Sequence, residues 1–148
     1  MGRMYSARAS SAQATAGDII SVEAPATGMA ILHSVVVSQA SSEVDDSTEI
    51  RISRFATVGS GGSVITASPV QVGHAASGVV VRAFDTVDAS GTETELYSEG
   101  ISLLAGFQKI WTPQARPLIP PSGRIVVKFI GDITSVTMHV AVEYEELD

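Results

Sequence analysis

The sequence predicts an all-β fold, a jelly-roll-like antiparallel β-sandwich of about eight to ten short strands with an N-terminal arm. Three observations carry this. Most apolar stretches alternate with polar residues at a period of two, as half-buried strands do. Turn residues recur roughly every ten positions. No amphipathic helical pattern of useful length interrupts them, and the long connections favour Greek-key or jelly-roll topology over a meander. The expected layout is an arm and linker over residues 1–17, then a single sandwich domain over 18–148.

The closing stretch, residues 124–145, organises the rest. Val136, Met138, Val140, Val142 and Tyr144 share one face, and Ile125, Val127 and Phe129 share a face of the preceding strand. Gly131-Asp132 between them reads as a tight hairpin turn. From the start of the chain, residues 3–9 form a polar arm anchored by Met4 and Tyr5, either a first edge strand or a tail that docks on a neighbour. Residues 10–17 are small and polar and read as linker. Residues 18–24 form a strand stopped by Pro25. Residues 29–39 form a stronger one, with Ile31, His33, Val35 and Val37 on one face and Ala30, Leu32, Ser34 and Val36 on the other. Both faces are largely apolar, so it is expected between layers or against another subunit.

Residues 40–48 form an acidic loop with Glu43, Asp45 and Asp46. Residues 49–57 form a strand with Ile50 and Ile52 inward. Gly59-Ser60-Gly61-Gly62-Ser63 reads as a flexible loop, and residues 64–72 hold a short strand ending near Pro69. Residues 79–86 form another strand, and residues 92–98, rich in glutamate, suit an exposed edge. Residues 101–111 read as strand rather than helix because of Gly100, Gly106 and the aromatics. The four prolines of residues 112–123 predict an ordered crossing between sheets.

Composition excludes whole classes. With no cysteine there is no disulfide, thiolate metal site or thiol nucleophile. With no asparagine there is no N-glycosylation. A net charge of −7 with two lysines, Lys109 and Lys128, opposes nucleic-acid binding. No apolar run reaches the length of a membrane span. Residues 1–11 lack the apolar core of a secretory signal, and the myristoylation pattern at Gly2 and Ser6 is short and common by chance. The mean hydropathy of an otherwise acidic chain is positive, +0.26, which points to apolar surface kept for subunit contacts.

Residues that carry chemistry elsewhere read as structural here. His33, His74 and His139 lack metal-ligand spacing. Glu43, Asp45, Asp46 and Glu49 do not follow a calcium loop, and the acidic C-terminal residues Glu143, Glu145, Glu146 and Asp148 give no assignable catalytic pair. The glycine loop has no phosphate-binding lysine, and Ser60 is not in a nucleophile elbow. Trp111, with Phe107 and Tyr97 nearby, would stack on a sugar if exposed and plug the core if not. No catalytic residue, metal or cofactor is expected.

Four stretches carry a family resemblance: residues 2–8, residues 31–35, the Gly/Ser loop 59–63, and residues 116–123 with the ending Tyr144-Glu145-Glu146-Leu147. Together they span most of the chain, and none is a diagnostic motif. In them the chain resembles the jelly-roll head decoration (cement) proteins and related minor virion proteins of tailed bacteriophages. The resemblance implies a non-enzymatic homotrimer on the virion's capsid surface, assembled in the host cytoplasm and bound to the major capsid protein. It implies no nucleic-acid, membrane or small-molecule partner. Its expected partner-binding residues are Met4, Tyr5 and Arg8 in the arm and Ile31, His33, Val35 and Val37 in the doubly apolar strand. The alternative is a carbohydrate-binding or adhesion module of a phage tail or fibre, resting on Trp111 or Tyr97.

Overall fold

A computed structural model describes residues 2–40 and 44–147. Its strands are β1 (Arg3–Gln13), β2 (Gly17–Glu23), β3 (Met29–Gln39), β4 (Ser47–Thr57), β5 (Ser63–Ile65), β6 (Ser68–Pro69), β7 (Val80–Ala83), β8 (Ser90–Ser102), β9 (Phe107–Ile110), β10 (Leu118–Ile119), β11 (Arg124–Phe129) and β12 (Val136–Leu147). Two antiparallel sheets result. Sheet A runs β10-β3-β12-β1-β6, with β9 also on β3; sheet B runs β5-β7-β2-β11-β4-β8. With β9 and β10 taken as one interrupted strand, the long strands give β1-β12-β3-β9/β10 facing β2-β11-β4-β8. That is the paired Greek-key order of a jelly roll. The segment between β4 and β8, carrying β5, β6 and β7, is an insertion. It adds β5 and β7 beside β2 and β6 beside β1, so it flanks one side of both sheets.

The period-two alternation explains why this closes. Val136, Met138, Val140, Val142 and Tyr144 of β12 are all buried, as are Ile125, Val127 and Phe129 of β11 and Ile50 and Ile52 of β4. They meet in one core between the sheets. Tyr5 and Tyr144, opposite each other in the β1–β12 register, stack at 5.6 Å within it. Such a pair adds about 0.5–1.5 kcal/mol beyond the area it buries.

Several expectations change. The closing hairpin does not form. β11 lies between β2 and β4, and β12 lies between β3 and β1 in the other sheet. Both strands carry an apolar face, and in opposite layers those two faces meet across one core. Gly131 keeps an ordinary negative-φ backbone, so no tight turn is made there.

The arm and linker are also replaced. The residues expected as arm (3–9) and the first part of the expected linker (10–17) pair with β12 without a break from Arg3↔Glu146 to Gln13↔Val136. Edge strand was one of the two readings of residues 3–9; the linker reading of residues 10–13 fails because their alternation, though built from Ser, Ala and Gln, still fits a pleated ladder.

In β3 the pairing with β12 shifts between Glu143 and Tyr144, leaving His33 as an extra residue between Leu32↔Tyr144 and Ser34↔Glu143. This bulge switches faces: Ala30 and Leu32 point inward before it, Val35 and Val37 after it. The stretch 101–111 is likewise broken, because β8 ends at Ser102 and a turn at Gly106, φ +70°, precedes β9. The proline-rich crossing is ordered: it holds a short 3-10 turn at Pro113–Ala115 and delivers β10 to β3 before β11 joins the other sheet.

Candidate interaction surfaces

The expected partner-binding residues divide. Tyr5, Val35 and Val37 are 0%, 0% and 1% exposed, so they belong to the core rather than to a surface. Tyr5 fails as an anchor because alternation in β1 points it inward; Val35 and Val37 fail because of the His33 bulge. Met4, Ile31 and His33 are half-buried and Arg8 is exposed. By alternation these four lie on the outer face of sheet A.

At the centre of that face is a trough of about 300 Å³ lined by Ser6, Arg8, Ser34, Val36, Gln108, Ile110, His139, Ala141 and Glu143. Small residues on β1, β3 and β12 make it, since Ser6, Ser34 and Ala141 leave the sheet uncovered. Ser34 Oγ donates to Glu143 Oε2 at 3.1 Å. Ser10 Oγ and His139 Nδ1 lie 3.0 Å apart on the same exposed face. No carboxylate hydrogen-bonds to that imidazole among the described residues, so the pair is not an oriented nucleophile and base. His33 Nε2 sits 3.4 Å from Glu145 Oε2 without hydrogen-bond geometry. Burial first, then Arg116, holds His33 below the usual histidine range, so it is neutral at pH 7 and the contact is not an ion pair.

The insertion forms a second surface, anchored at two places. At its root, Ala89 N–H donates to Asp18 Oδ2 at 2.6 Å and Asp18 N–H donates to Asp88 Oδ1 at 3.0 Å. Asp85 accepts from Gly62 N–H at 3.0 Å and pairs with Arg82 at 3.0 Å. Burial pushes Asp18 up to about 6, with Asp88 and Asp85 adding to the rise and the Ala89 N–H and Lys128 opposing it. The glycine loop is no free tip: Ser60 N–H donates to Val87 O, and Ser60 O accepts from both Thr86 and Val87 N–H. A side chain at Gly59 would meet Val87 O at 2.6 Å, which is why only glycine fits there. Next to it Phe84 holds φ +53°, a strain of roughly 1–3 kcal/mol kept in place by these contacts.

The second anchor is buried. Tyr5 Oη donates to Ala75 O at 2.8 Å, and Tyr144 Oη donates to Ser77 Oγ at 2.9 Å. Ser77 in turn donates to Glu146 Oε2, and Gly78 N–H donates to Glu146 Oε1. Glu146 is 4% exposed, and burial pushes the Tyr144 hydroxyl up to about 12.

The remaining candidates take structural places. Trp111 is buried, so it plugs the core and offers no sugar platform. Tyr97 is half-buried, its ring carries Lys109 Nζ at 4.0 Å, and its hydroxyl donates to Glu99 at 2.6 Å. Asp46 is engaged in the fold, accepting from Ser47 and Thr134 N–H. Glu49 pairs with Arg51. Glu43 and Asp148 lie outside the described residues. Among the described residues, no three His, Asp or Glu side chains are grouped to hold a metal ion. No family model, no curated protein and no solved structure matches this chain.

Proposed function

We propose that this protein is a non-enzymatic structural component of a virion, a decoration protein that binds the outside of a capsid as a homotrimer and stabilises the shell. The observation that carries the reading is the uncovered outer face of sheet A. Met4, Arg8, Ile31 and His33 share that face with a trough holding Gln108, Ile110 and Glu143. It joins an arginine, apolar side chains and hydrogen-bonding groups on a rigid sheet, the mixture that suits a protein partner. The partner is the major capsid protein. The net charge of −7 suits the outer side of a shell rather than its DNA-facing lining. With Trp111 buried, the adhesion alternative rests on Tyr97 alone, whose half-buried ring is covered by Lys109.

Co-sedimentation with purified, undecorated capsids tests this. The protein is expected to pellet with shells at a fixed ratio. Arg8→Glu combined with Val36→Glu is expected to weaken that binding at least tenfold, about 1.4 kcal/mol. No pelleting of the unaltered protein with shells would overturn the reading.

A further inference from the structure

Residues 55–81 contain no aspartate, glutamate, lysine or arginine, although the chain as a whole carries 25 charged side chains. His74 is the only titratable group in the run. It covers the end of β4, all of β5 and β6, and the start of β7. Among the described residues, exposed large apolar side chains gather on and beside it. Val64 is 63% exposed and Val72 105%, and Val70, Val80 and Val87 are exposed too. Between β5 and β7 runs a groove of about 240 Å³ whose wall includes Val64, Ala67, Ala76 and Val80. Its floor is fixed, because residues 75–78 are held from beneath by Tyr5, Tyr144 and Glu146. At its margin Arg82 is neutralised by Asp85.

Such a surface is costly to leave in water, at about 25 cal/mol per Å² of apolar area. Nor is it guarded as a lone sheet edge usually is. β5 ends sheet B without a charge to discourage pairing. We infer that this uncharged insertion is the self-association surface of the protein, and that its occupant is the insertion of a second copy, three insertions closing head to tail around a threefold axis.

Charge decides between occupants. Two copies each at −7 repel wherever their carboxylates face one another, and like charges set together cost several kcal/mol. Residues 55–81 form the stretch that two copies bring together with no carboxylate of its own. Of the acidic side chains fastened to residues 75–81, Glu146 is buried behind them and Glu23, opposite Val80, is paired with Arg124 at 3.3 Å. A basic partner would instead be drawn to the acidic faces elsewhere. The inference rests on the homotrimeric part of the proposed function and names where the copies touch. It uses the side of the sandwich and leaves the outer face of sheet A open for a shell.

Light scattering on a sizing column, with the full chain, tests it. The unaltered protein is expected to show three times 15.4 kDa at both low and high salt, since apolar contact is not screened. Val64→Glu with Val80→Glu is expected to cut the mass to one third. Both positions are exposed, so the far-ultraviolet circular dichroism should not change. Thr94→Glu on β8 should leave the mass unaltered. Hydrogen exchange guards against a misfolded variant: amides of residues 63–81 should exchange faster in the double variant while those of β11 and β12 do not. A trimer that survives both substitutions overturns this assignment and leaves homotrimeric assembly standing. A monomeric unaltered protein overturns both, whereas failure to bind shells by a protein that still trimerises overturns only the capsid reading.

Discussion

The two ends of sheet B are built by opposite rules. At one end β8 is exposed along most of its length and carries Glu93, Glu95 and Glu99. Arg51 of β4 reaches Glu49, Glu93 and Glu95 at 2.8, 3.7 and 3.3 Å. At the other end β5 is three residues long, uncharged, and flanked by exposed valines. The β8 end is held from outside by charge in water, where each ion pair is worth about 0–1 kcal/mol. The insertion behind β5 is held from inside, through buried tyrosines, Glu146 and the Asp18 cluster. A charged edge is made to stay alone; an uncharged edge with buried supports is a prepared surface.

The largest effect should come from removing the inner support. Tyr144→Ala deletes the stacked ring and the hydrogen bond to Ser77, and is expected to cost about 3–5 kcal/mol of stability in urea unfolding. Tyr144→Phe keeps the ring and should cost only about 1–2 kcal/mol. An alanine variant within 1 kcal/mol of the parent, roughly the scale of an exposed pair, would erase the contrast between the two ends.

Next in size is a pH effect at the root of the insertion. Asp18 rises from 3.8 to about 6 in the folded chain, so the folded state holds this proton more tightly than the unfolded state. Its stabilising contribution is full below about pH 3.8 and is lost as pH rises through about 6. The amount is on the order of 3 kcal/mol. Urea midpoints measured from pH 4 to 7.5 should fall across that window in the parent and stay flatter in Asp18→Asn. Parallel curves for the two proteins would show that Asp18 is not the group responsible.

The smallest effect should be at the guarded edge. Glu95→Thr with Glu99→Thr breaks exposed contacts to Arg51 and Tyr97 and should change stability by less than about 1 kcal/mol. Its consequence should appear instead as new, concentration-dependent association through β8, visible by light scattering. A double variant that stays as well dispersed as the parent at high concentration would mean that charge is not what keeps this edge single.

Much of the architecture was legible in the chain. The alternation of Val136 to Tyr144 and of Ile50 and Ile52 pointed to buried faces, and those residues are buried. The glutamates of residues 92–98 announced an exposed edge, and β8 is one. The proline run announced a crossing between sheets, and residues 112–123 make it. The candidate site was read less well. Of the seven residues expected at a partner, Tyr5 is core because alternation in β1 turns it inward, and Val35 and Val37 are core because one extra residue at His33 reverses every later side chain in β3. The uncharged run was there to be seen, but broken into a loop and a short strand it did not show as one surface until β5, β6 and β7 brought it to one side of the sandwich.

Strand content, the inward face of each regular strand and the absence of thiol chemistry were determined by the sequence itself, because period and composition are local properties. Tertiary structure alone decided which sheet each strand joined, that β11 and β12 part company, and that Glu146 turns inward beneath the insertion. Those outcomes depend on partners far apart in the chain. A hydrogen-bond ladder is satisfied equally well by any strand of suitable pattern, so the choice falls to how the two layers close over one shared core.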